Sequence, residues 1–568
     1  MPILCEITIA LFVGHGIYAR PVASRLMGKT IKKGEILMQS LRPNIALLVT
    51  LLAVLMFSSA ASAGSHYFDE GTKYLDNGEY KKAIEMYDKA IELDPINARA
   101  YRGKGVALRK LGRNEDAVKM YDKAIEFDPA NAVAYGGKGV ALYKLGRYED
   151  AAKMFDHAIG LDPTNATLYE GKGLAFRGLN RYEDAIKMYD KAIELNPNDA
   201  EVYVNKGVAL EGLGRYEDAI KMHDKAIELE PKNSVAYANK GIDFINLGRY
   251  EDAVKMYDKV IELDPKDEAG YNNKGLALYS LDRYEDAVKM YNRAIELDPK
   301  NAVIYGRKGF ALYALDRYED AVKMYDRAIK LDSKNAAMNA AIYGGKGLAL
   351  DSLGRYADAV KMYDRAIKFD PTSGALYGSK GLALRKLGRY KDAIKMYDKV
   401  IELDSKDAKA YSSKGVALRR LGRYEDAVKM YDRAIELDPK SADAYGNKGY
   451  VLIYLKRYDD AVESLSKAIT LNDKSPAQHN NMALALMKRN RGNDAQKARE
   501  ISEQVLKEDS KGKSSAYAYA NLGKKNEMLA LLKRLIAKDT SIAQDVKTDM
   551  EFDPYRDDLR FKSIVGDK

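Results

Sequence analysis

The sequence of 568 residues has one cysteine, no tryptophan and only five histidines. The cysteine, Cys5, precedes an apolar run that ends at Phe57, so a product cleaved after that run would contain no cysteine. Disulfide bonds, thiolate catalysis and cysteine-type zinc sites are excluded for such a product.

The excess of basic over acidic residues is also small. The chain has 93 basic and 83 acidic residues, and residues 1–63 account for six and two of these, which leaves a balance of +6 for the remainder. An excess this small over about 500 residues does not favour nucleic acid as a partner.

One apolar run stands out, the thirteen residues from Ile45 to Phe57. Arg42 precedes it, and Ala61-Ser62-Ala63 follows it as an A-x-A cleavage site. The run is too short to span a bilayer alone and suits the hydrophobic region of a secretory signal peptide. We therefore expect residues 38–63 to be a signal peptide or an uncleaved signal anchor.

The residues before this segment, 1–37, have no repeat phase, and we expect them to be an over-extended N-terminus with the native start at Met27 or Met38. The remainder of the chain should then lie outside the cytoplasm, secreted or anchored with its repeats facing outward. A membrane should be contacted only through the N-terminal segment.

From Gly64 onward a pattern of 34 residues recurs twelve times, which indicates a stack of small units rather than one enclosed core. Of the 42 tyrosines, 32 fall at repeat positions 4, 17 and 24, so the aromatic residues are scaffolding. We divide the chain into repeats one to eight (64–335), an insertion (336–339), repeats nine to twelve (340–475), and degenerate repeats with a C-terminal cap (476–568).

Each repeat is predicted to form two helices. In the second repeat, Tyr101, Gly105, Leu108 and Leu111 share one face of a first helix, which Gly112 ends with a positive φ. The buried stripe of the second helix follows the same periodicity, and Pro129 prevents that helix from continuing. The stripe consists of Ala117, Tyr121, Ala124 and Ile125.

The pattern resembles the tetratricopeptide repeat family, whose signature positions match at Tyr101, Gly105, Leu108, Ala117, Tyr121, Ala124 and Pro129. The resemblance implies an all-α fold, an α-solenoid of helix-turn-helix hairpins wound as a right-handed superhelix. It also implies a concave groove lined by repeat positions 2, 5, 6, 9, 12 and 13 of the first helices.

Three departures from the family pattern carry predictions. Position 7 is lysine in eleven consecutive repeats, from Lys104 to Lys448. We expect its stem to pack between helices while its ammonium group reaches an acidic neighbour. The four-residue insertion should lengthen a helix by about one turn and change the pitch. After Ser475, Ala483, Leu486 and Ala495 keep the repeat phase, and the last residues should cap the array.

No enzyme is predicted, and no cofactor or metal. The histidines after residue 63 are His66, His157, His223 and His479, which occupy four different repeat positions in four repeats. Because repeats contact mainly their neighbours, three of these histidines cannot converge on one ion. His223 stands where tyrosine usually stands, which favours a structural role.

Read along the groove positions, the sequence offers a middle zone of asparagines at position 6 and two basic ends. A spaced row of asparagines can hydrogen-bond an extended peptide backbone, as in the asparagine ladder of O-linked N-acetylglucosamine transferases, which this row resembles. Asn239, Asn273 and Arg307 also match part of the carboxylate clamp of co-chaperones, but Val235 and Val303 replace its lysines. The predicted groove residues are Asn205, Asn239, Asn273, Arg102, Arg109, Lys110, Arg307, Arg385 and Arg419.

The sequence thus predicts a non-enzymatic scaffold that binds proteins or extended peptide segments through its concave groove. Two alternatives stay open: an accessory or regulatory subunit that presents substrates to a separate enzyme, and a binder of polyanionic envelope polymers.

Overall fold

The structure is a computed structural model that describes residues 63–332, 335–472, 474–508, 511–539 and 541–566. Within these ranges every regular element is a helix, and short turns join the helices. The predicted N-terminal segments, 1–37 and 38–63, lie outside the described residues except for Ala63. None of the described helices is both long and apolar enough to cross a membrane.

The chain divides into two compact units, Met1–Leu247 and Gly248–Lys568. In both units the odd-numbered helices up to α27 are the first helices of repeats. The described helices of the first unit are α1 (63–76), α2 (Tyr80–Leu93), α3 (Ala98–Lys110), α4 (Asn114–Phe127), α5 (Ala132–Lys144), α6 (Tyr148–Leu161), α7 (Ala166–Gly178), α8 (Tyr182–Leu195), α9 (Ala200–Glu211), α10 (Tyr216–Leu229) and α11 (Ser234–Asn246).

The second unit continues the alternation through repeat twelve. Its described helices up to that point are α12 (Tyr250–Leu263), α13 (Glu268–Ser280), α14 (Tyr284–Leu297), α15 (Ala302–Ala314), α16 (Tyr318–Leu331), α17 (Ala336–Ser352), α18 (Tyr356–Phe369), α19 (Gly374–Lys386), α20 (Tyr390–Leu403), α21 (Ala408–Arg420), α22 (Tyr424–Leu437), α23 (Ala442–Tyr454) and α24 (Tyr458–Leu471).

The C-terminal region of the second unit is also helical. Its elements are α25 (Pro476–Arg489), α26 (Asp494–Glu508), α27 (Lys513–Asn521), α28 (Lys525–Lys538), α29 (Ser541–Thr548), a 3-10 helix (Met550–Tyr555) and α30 (Leu559–Val565).

Local signals set the helix ends. The Asn131 side chain caps α5 by accepting a hydrogen bond from the backbone N–H of Ala134 at 3.0 Å. Gly112 ends α3 with a φ of 76°, as predicted. Leu111, which we placed on the buried face, is 37% exposed instead. It follows the last residue of α3 and therefore lies beyond the packed part of that helix.

From repeat one to repeat eleven a ring at repeat position 24 is buried at the centre of the repeat's core, and Leu465 takes this position in repeat twelve. Tyr121 is fully buried between α3 of its own repeat and α5 of the next. A Cβ atom added to Gly105 or Gly137 would lie 3.0 Å or 2.6 Å from the nearest carbon of this ring. At this junction the ring therefore sets how closely the two first helices approach, and the glycines leave the space that the ring fills.

The lysines at position 7 are placed as predicted. Lys138 Nζ lies 2.6 Å from Asp122 Oδ1 on the second helix of the preceding repeat, and most of its side chain is buried. The same pairing links ten pairs of repeats. The pairs are Lys104–Asp88, Lys138–Asp122, Lys172–Asp156, Lys206–Asp190, Lys240–Asp224, Lys274–Asp258, Lys346–Asp326, Lys380–Asp364, Lys414–Asp398 and Lys448–Asp432.

Lys308 is the exception to this pairing, because Asn292 stands at the position of the aspartate. Lys308 makes no ion pair within the described part of the chain, and burial lowers its pKa. The ladder of inter-repeat ion pairs is therefore interrupted once, between repeats seven and eight.

The insertion lengthens a helix, as expected. α17 has 17 residues, whereas α15 and α19 have 13 each. Asn335 caps its N-terminus, and the buried Asn339 donates from Nδ2 to the Asn335 backbone oxygen at 2.8 Å. The four additional residues extend this first helix at its N-terminal end, before the repeat phase resumes.

The degenerate repeats after Ser475 keep part of the predicted phase. Ala483 and Leu486 are buried, but Ala495 is exposed and Ala498 takes the buried position. The shift arises because Asn490 ends α25 in the left-handed conformation and α26 does not begin until Asp494. The last residues close the second unit with a separate apolar cluster that includes Met528, Leu532, Val546, Phe552 and Phe561.

The contact between glycine and ring generates a test of the packing. In Gly309→Ala the new methyl group would lie 2.6 Å from the buried Tyr325 ring, so we expect a loss of about 1–3 kcal/mol in the free energy of unfolding. The matched control is Gly378→Ala, because a Cβ there meets nothing within 4 Å. The control should be neutral or gain up to about 1 kcal/mol of helix propensity. Equal denaturation midpoints for both variants would contradict the packing.

Candidate functional site

The first helices of consecutive repeats lie side by side, and polar side chains bridge them. We call the surface formed by repeat positions 2, 5, 6, 9, 12 and 13 of these helices the first-helix face. In the first unit, Asn205 of α9 bonds to two residues of α7, and in the second unit Arg307 of α15 bonds to α13. The face is therefore a connected polar surface within each unit.

The asparagines predicted to form a ladder have different environments. Asn205 is only 9% exposed, and its amide is fully engaged: Oδ1 accepts from Arg177 Nη1 at 3.1 Å, and Nδ2 donates to Glu170 Oε1 at 3.0 Å. Asn239 is half-buried and has no hydrogen-bond partner among the described residues. Asn273 accepts one long bond, of 3.4 Å, from Arg307 Nη1. Asn205 and Asn239 belong to the first unit and Asn273 to the second, and the ladder across them stays a prediction.

The basic residues predicted for the groove are partly desolvated. Arg102, Arg109 and Arg385 are half-buried and form no ion pair with a described carboxylate, whereas Lys110 is exposed. Arg307 differs, since its guanidinium also donates to Asn272 Oδ1 at 3.0 Å.

Arg419 packs its guanidinium 5.2 Å from the centre of the Tyr450 ring. It also lies beside the buried Tyr431 ring. Burial raises the pKa of Tyr431 to about 12, and the positive charge of Arg419 opposes part of that rise.

Among the carboxylates of the first-helix face in the first unit, Glu170 has the largest pKa shift. Burial raises the pKa of Glu170 to about 7, the charges of Glu201 and Asp199 add to the rise, and the hydrogen bond from Asn205 opposes it. A carboxyl group with a raised pKa thus lies next to Asn205, the buried and hydrogen-bonded asparagine of the predicted ladder.

The chain's own C-terminal region covers part of the first-helix face in the second unit. Arg420 Nη1 of α21 donates to Thr548 Oγ1 at 3.2 Å, and Tyr454 Oη of α23 donates to the Thr548 backbone oxygen at 3.3 Å. Asp549, which follows in an extended conformation, accepts a 2.6 Å hydrogen bond from Tyr517 Oη. Side chains of three first helices therefore hold the last residue of α29 and the extended residue that follows it.

A second polar cluster, which the sequence reasoning missed, lies inside the first unit. His223 of α10 is fully buried, with Nε2 at 3.1 Å from Glu211 Oε1 and 3.4 Å from Asp243 Oδ2. His223 thus converges with carboxylates of the two adjacent helices and not with another histidine. The available signal was a joint departure from the repeat: His for Tyr at position 24 and, in the next repeat, Asp for Ala at position 10.

Comparison with known families identifies the repeats. A model described as "Tetratricopeptide repeat" matches residues 68–132, 107–166, 239–302, 307–374, 379–442 and 413–478, which together exceed half of the chain. Further tetratricopeptide repeat models match residues 173–214, 200–233 and 290–323. The chain belongs to the tetratricopeptide repeat family, and its fold is the α-solenoid of that family. Membership supports a protein–protein interaction scaffold of a typically non-enzymatic class.

Individual relatives share only parts of the chain. An uncharacterized protein of Methanocaldococcus jannaschii is 42% identical over 50 residues, which cover 9% of this chain and 58% of that protein. The chain thus matches little more than half the length of this relative.

Among solved structures, MamA is 29% identical over 30% of this chain and 94% of its own, with a TM-score of 0.28. YrrB, described as a TPR protein with an unusual peptide-binding site, is 29% identical over 32% of this chain and 95% of its own, with a TM-score of 0.28. Yeast Tom70 is 17% identical over 78% of this chain and 99% of its own, with a TM-score of 0.31.

The environment of Glu170 predicts a pH dependence. Its pKa is higher in the folded than in the unfolded chain, so the folded state binds more protons between about pH 4.5 and 7. The contribution of Glu170 to stability is thus fully present below that window and is lost as pH rises through it. We expect the stability difference between wild type and Glu170→Gln to change in this direction when urea unfolding is measured from pH 4 to 8.

The exposed Glu183 of α8 provides the control, because Glu183→Gln removes a carboxylate of the same unit without touching the first-helix face. A Glu170→Gln difference that follows the same pH course as the control would contradict the buried environment of Glu170.

Proposed function

We propose that this chain is a non-enzymatic scaffold that binds extended segments of partner proteins on its first-helix face. The observation that carries the proposal is the set of hydrogen bonds between this face and the chain's own residues Thr548 and Asp549. A surface that binds a backbone oxygen at the end of α29 and the extended residue after it has the donors to bind polypeptide at equivalent places along the array.

The contacts at Thr548 explain how such binding can tolerate different sequences. One of the two hydrogen bonds goes to a backbone oxygen, which every residue carries, and only the other reads a side chain. The two donors, Arg420 in α21 and Tyr454 in α23, both stand at repeat position 13. Position 13 of α3 is Lys110, which is exposed in the first unit.

The basic residues favour acidic segments. Arg102 and Arg109 have lost part of their hydration without gaining a carboxylate partner, so an Asp or Glu of a bound segment would find a guanidinium that needs little further desolvation. The free amide of Asn239 offers a donor and an acceptor to a peptide backbone in the same unit.

This proposal predicts where substitutions weaken binding. Unstructured peptides selected from a displayed library against the full chain would be labelled, and their affinities measured by fluorescence anisotropy. Arg102→Ala with Arg109→Ala should weaken acidic peptides by about tenfold or more, as expected for two lost charge-assisted contacts.

The matched control is Arg113→Ala with Lys119→Ala, which removes two positive charges from the same repeat but from outside the first-helix face, where both residues pair with Asp116. The two double variants should differ clearly. Equal losses would show that only net charge matters. A steep decline of affinity with salt, together with binding of polyphosphate, would favour the polyanion alternative.

We also propose that the repeats act outside the cytoplasm. The support is the apolar run from Ile45 to Phe57, which precedes α1, and the A-x-A site at residues 61–63, which ends at the first residue of α1.

N-terminal sequencing of the native protein tests this location. A start at Gly64 in the exported fraction is expected for cleavage, and a start at Met27 or Met38 in the membrane fraction for an anchor. Ala63→Leu should block cleavage, because the residue before the cut must be small. A cytoplasmic product that retains residues 45–57 would overturn the proposed location.

A further inference from the structure

The buried cluster of Glu211, His223 and Asp243 lies between repeats five and six, within the first unit. One oxygen from each carboxylate and one ring nitrogen all lie within 4.8 Å of one another. The three residues come from three consecutive helices, α9, α10 and α11, so whatever joins them also joins the two repeats.

The same three repeat positions meet elsewhere in the array without forming such a cluster. In repeats two and three they are Arg109, Tyr121 and Ala141, where the ring packs in the same apolar cluster as the alanine. In repeats four and five they are Arg177, Tyr189 and Ala209. Only between repeats five and six does the sequence place His at position 24 and Asp at the following position 10. Two departures that meet at one point indicate a local requirement for these groups.

The cluster has unsatisfied polar atoms. Asp243 is 0% exposed, neither of its carboxylate oxygens has a hydrogen-bond partner among the described residues, and the same holds for His223 Nδ1. A buried carboxylate is costly unless a cation, a proton or hydrogen bonds compensate its charge. The cluster therefore places two carboxylates beside one imidazole with too few hydrogen bonds to offset their charge, which a bound cation would do.

The two separations from the histidine nitrogen suit a small divalent ion. Bonds of about 2.0–2.2 Å from a tetrahedral Zn²⁺ to nitrogen and oxygen place neighbouring ligand atoms about 3.3–3.5 Å apart. The separations from His223 Nε2 are 3.1 Å to Glu211 and 3.4 Å to Asp243. One imidazole and two carboxylates form a donor set that zinc and its first-row neighbours accept.

Access to the cluster is available from one side. Glu211 is the one member of the cluster that is not fully buried, with 18% of its side chain exposed. It stands at position 12, on the first-helix face. The ring of His223 is held in place by α9, because a Cβ added to Gly207 would lie only 2.3 Å from its Cε1 atom.

We propose that Glu211, His223 and Asp243 bind a divalent first-row transition metal ion of the zinc class, which clamps repeats five and six together. The protein supplies three ligands, and a fourth position remains for water or for a donor atom of a bound segment on the Glu211 side. This site stands independently of the peptide-binding proposal, since it is built from residues inside the repeat stack.

The test uses the full chain, stripped with a chelator and dialysed, and titrated with Zn²⁺ alone by calorimetry. We expect one tight equivalent per chain, and Co²⁺ in its place should give the absorption bands of a tetrahedral site. Zn²⁺ should also raise the thermal unfolding midpoint, because it binds the folded state selectively.

Two variants restore residues that other repeats carry at these positions, so the fold should survive: His223→Tyr and Asp243→Ala. Each should weaken Zn²⁺ binding by about 100-fold or more and abolish the thermal shift. His157→Asn, which removes an exposed histidine of repeat three, is the control and should leave binding unchanged. Absence of a tight equivalent in the wild type, or undiminished binding in both folded variants, would overturn the proposal.

Discussion

The array depends on one contact, the packing of the position-24 ring between two consecutive first helices. Tyr121 illustrates it, because the ring is fully buried and lies so close to Gly105 and Gly137 that neither position has room for a methyl group. Each ring therefore joins its own repeat to the next, and the lysine-to-aspartate ion pairs join the same neighbours at the surface. These pairs are half-exposed and contribute little individually, about 0–1 kcal/mol each, so the rings carry most of the cohesion.

Because the rings fix the separation of the first helices, they also fix what the first-helix face can do. Polar side chains from adjacent repeats come within hydrogen-bonding distance there, as Arg177, Asn205 and Glu170 do. Some of these groups hydrogen-bond to one another. Others, such as Asn239 and Arg102, can still bond to a binding partner. Thr548, which accepts hydrogen bonds from Arg420 of α21 and Tyr454 of α23, shows that this face can bind a hydroxyl group and a backbone oxygen.

Periodicity made most of the fold predictable. The helix pairs, the buried stripe around Tyr121, the positive φ of Gly112 and the longer α17 all follow from a repeat that is nearly invariant. Two details differ from the prediction: Leu111 falls beyond a helix end, and Ala495, in the region where the repeat fades, loses its phase after the turn at Asn490. The site was harder to predict. Spacing places Asn205 on the first-helix face, but its engagement by Glu170 and Arg177 depends on the residues of the preceding repeat. His223 likewise looked isolated, because its partners lie on two other helices.

The central claim is that partners bind the first-helix face rather than the outer surface of the second helices. Photo-crosslinking in living cells measures this most directly, with a benzophenone amino acid placed at one exposed lysine of each surface. In the second repeat these are Lys110 on α3 and Lys119 on α4, and in the eleventh Lys409 on α21 and Lys429 on α22. We predict adducts with partner polypeptides from Lys110 and Lys409 and none from Lys119 and Lys429. Adducts that form only from the second-helix positions would contradict the account.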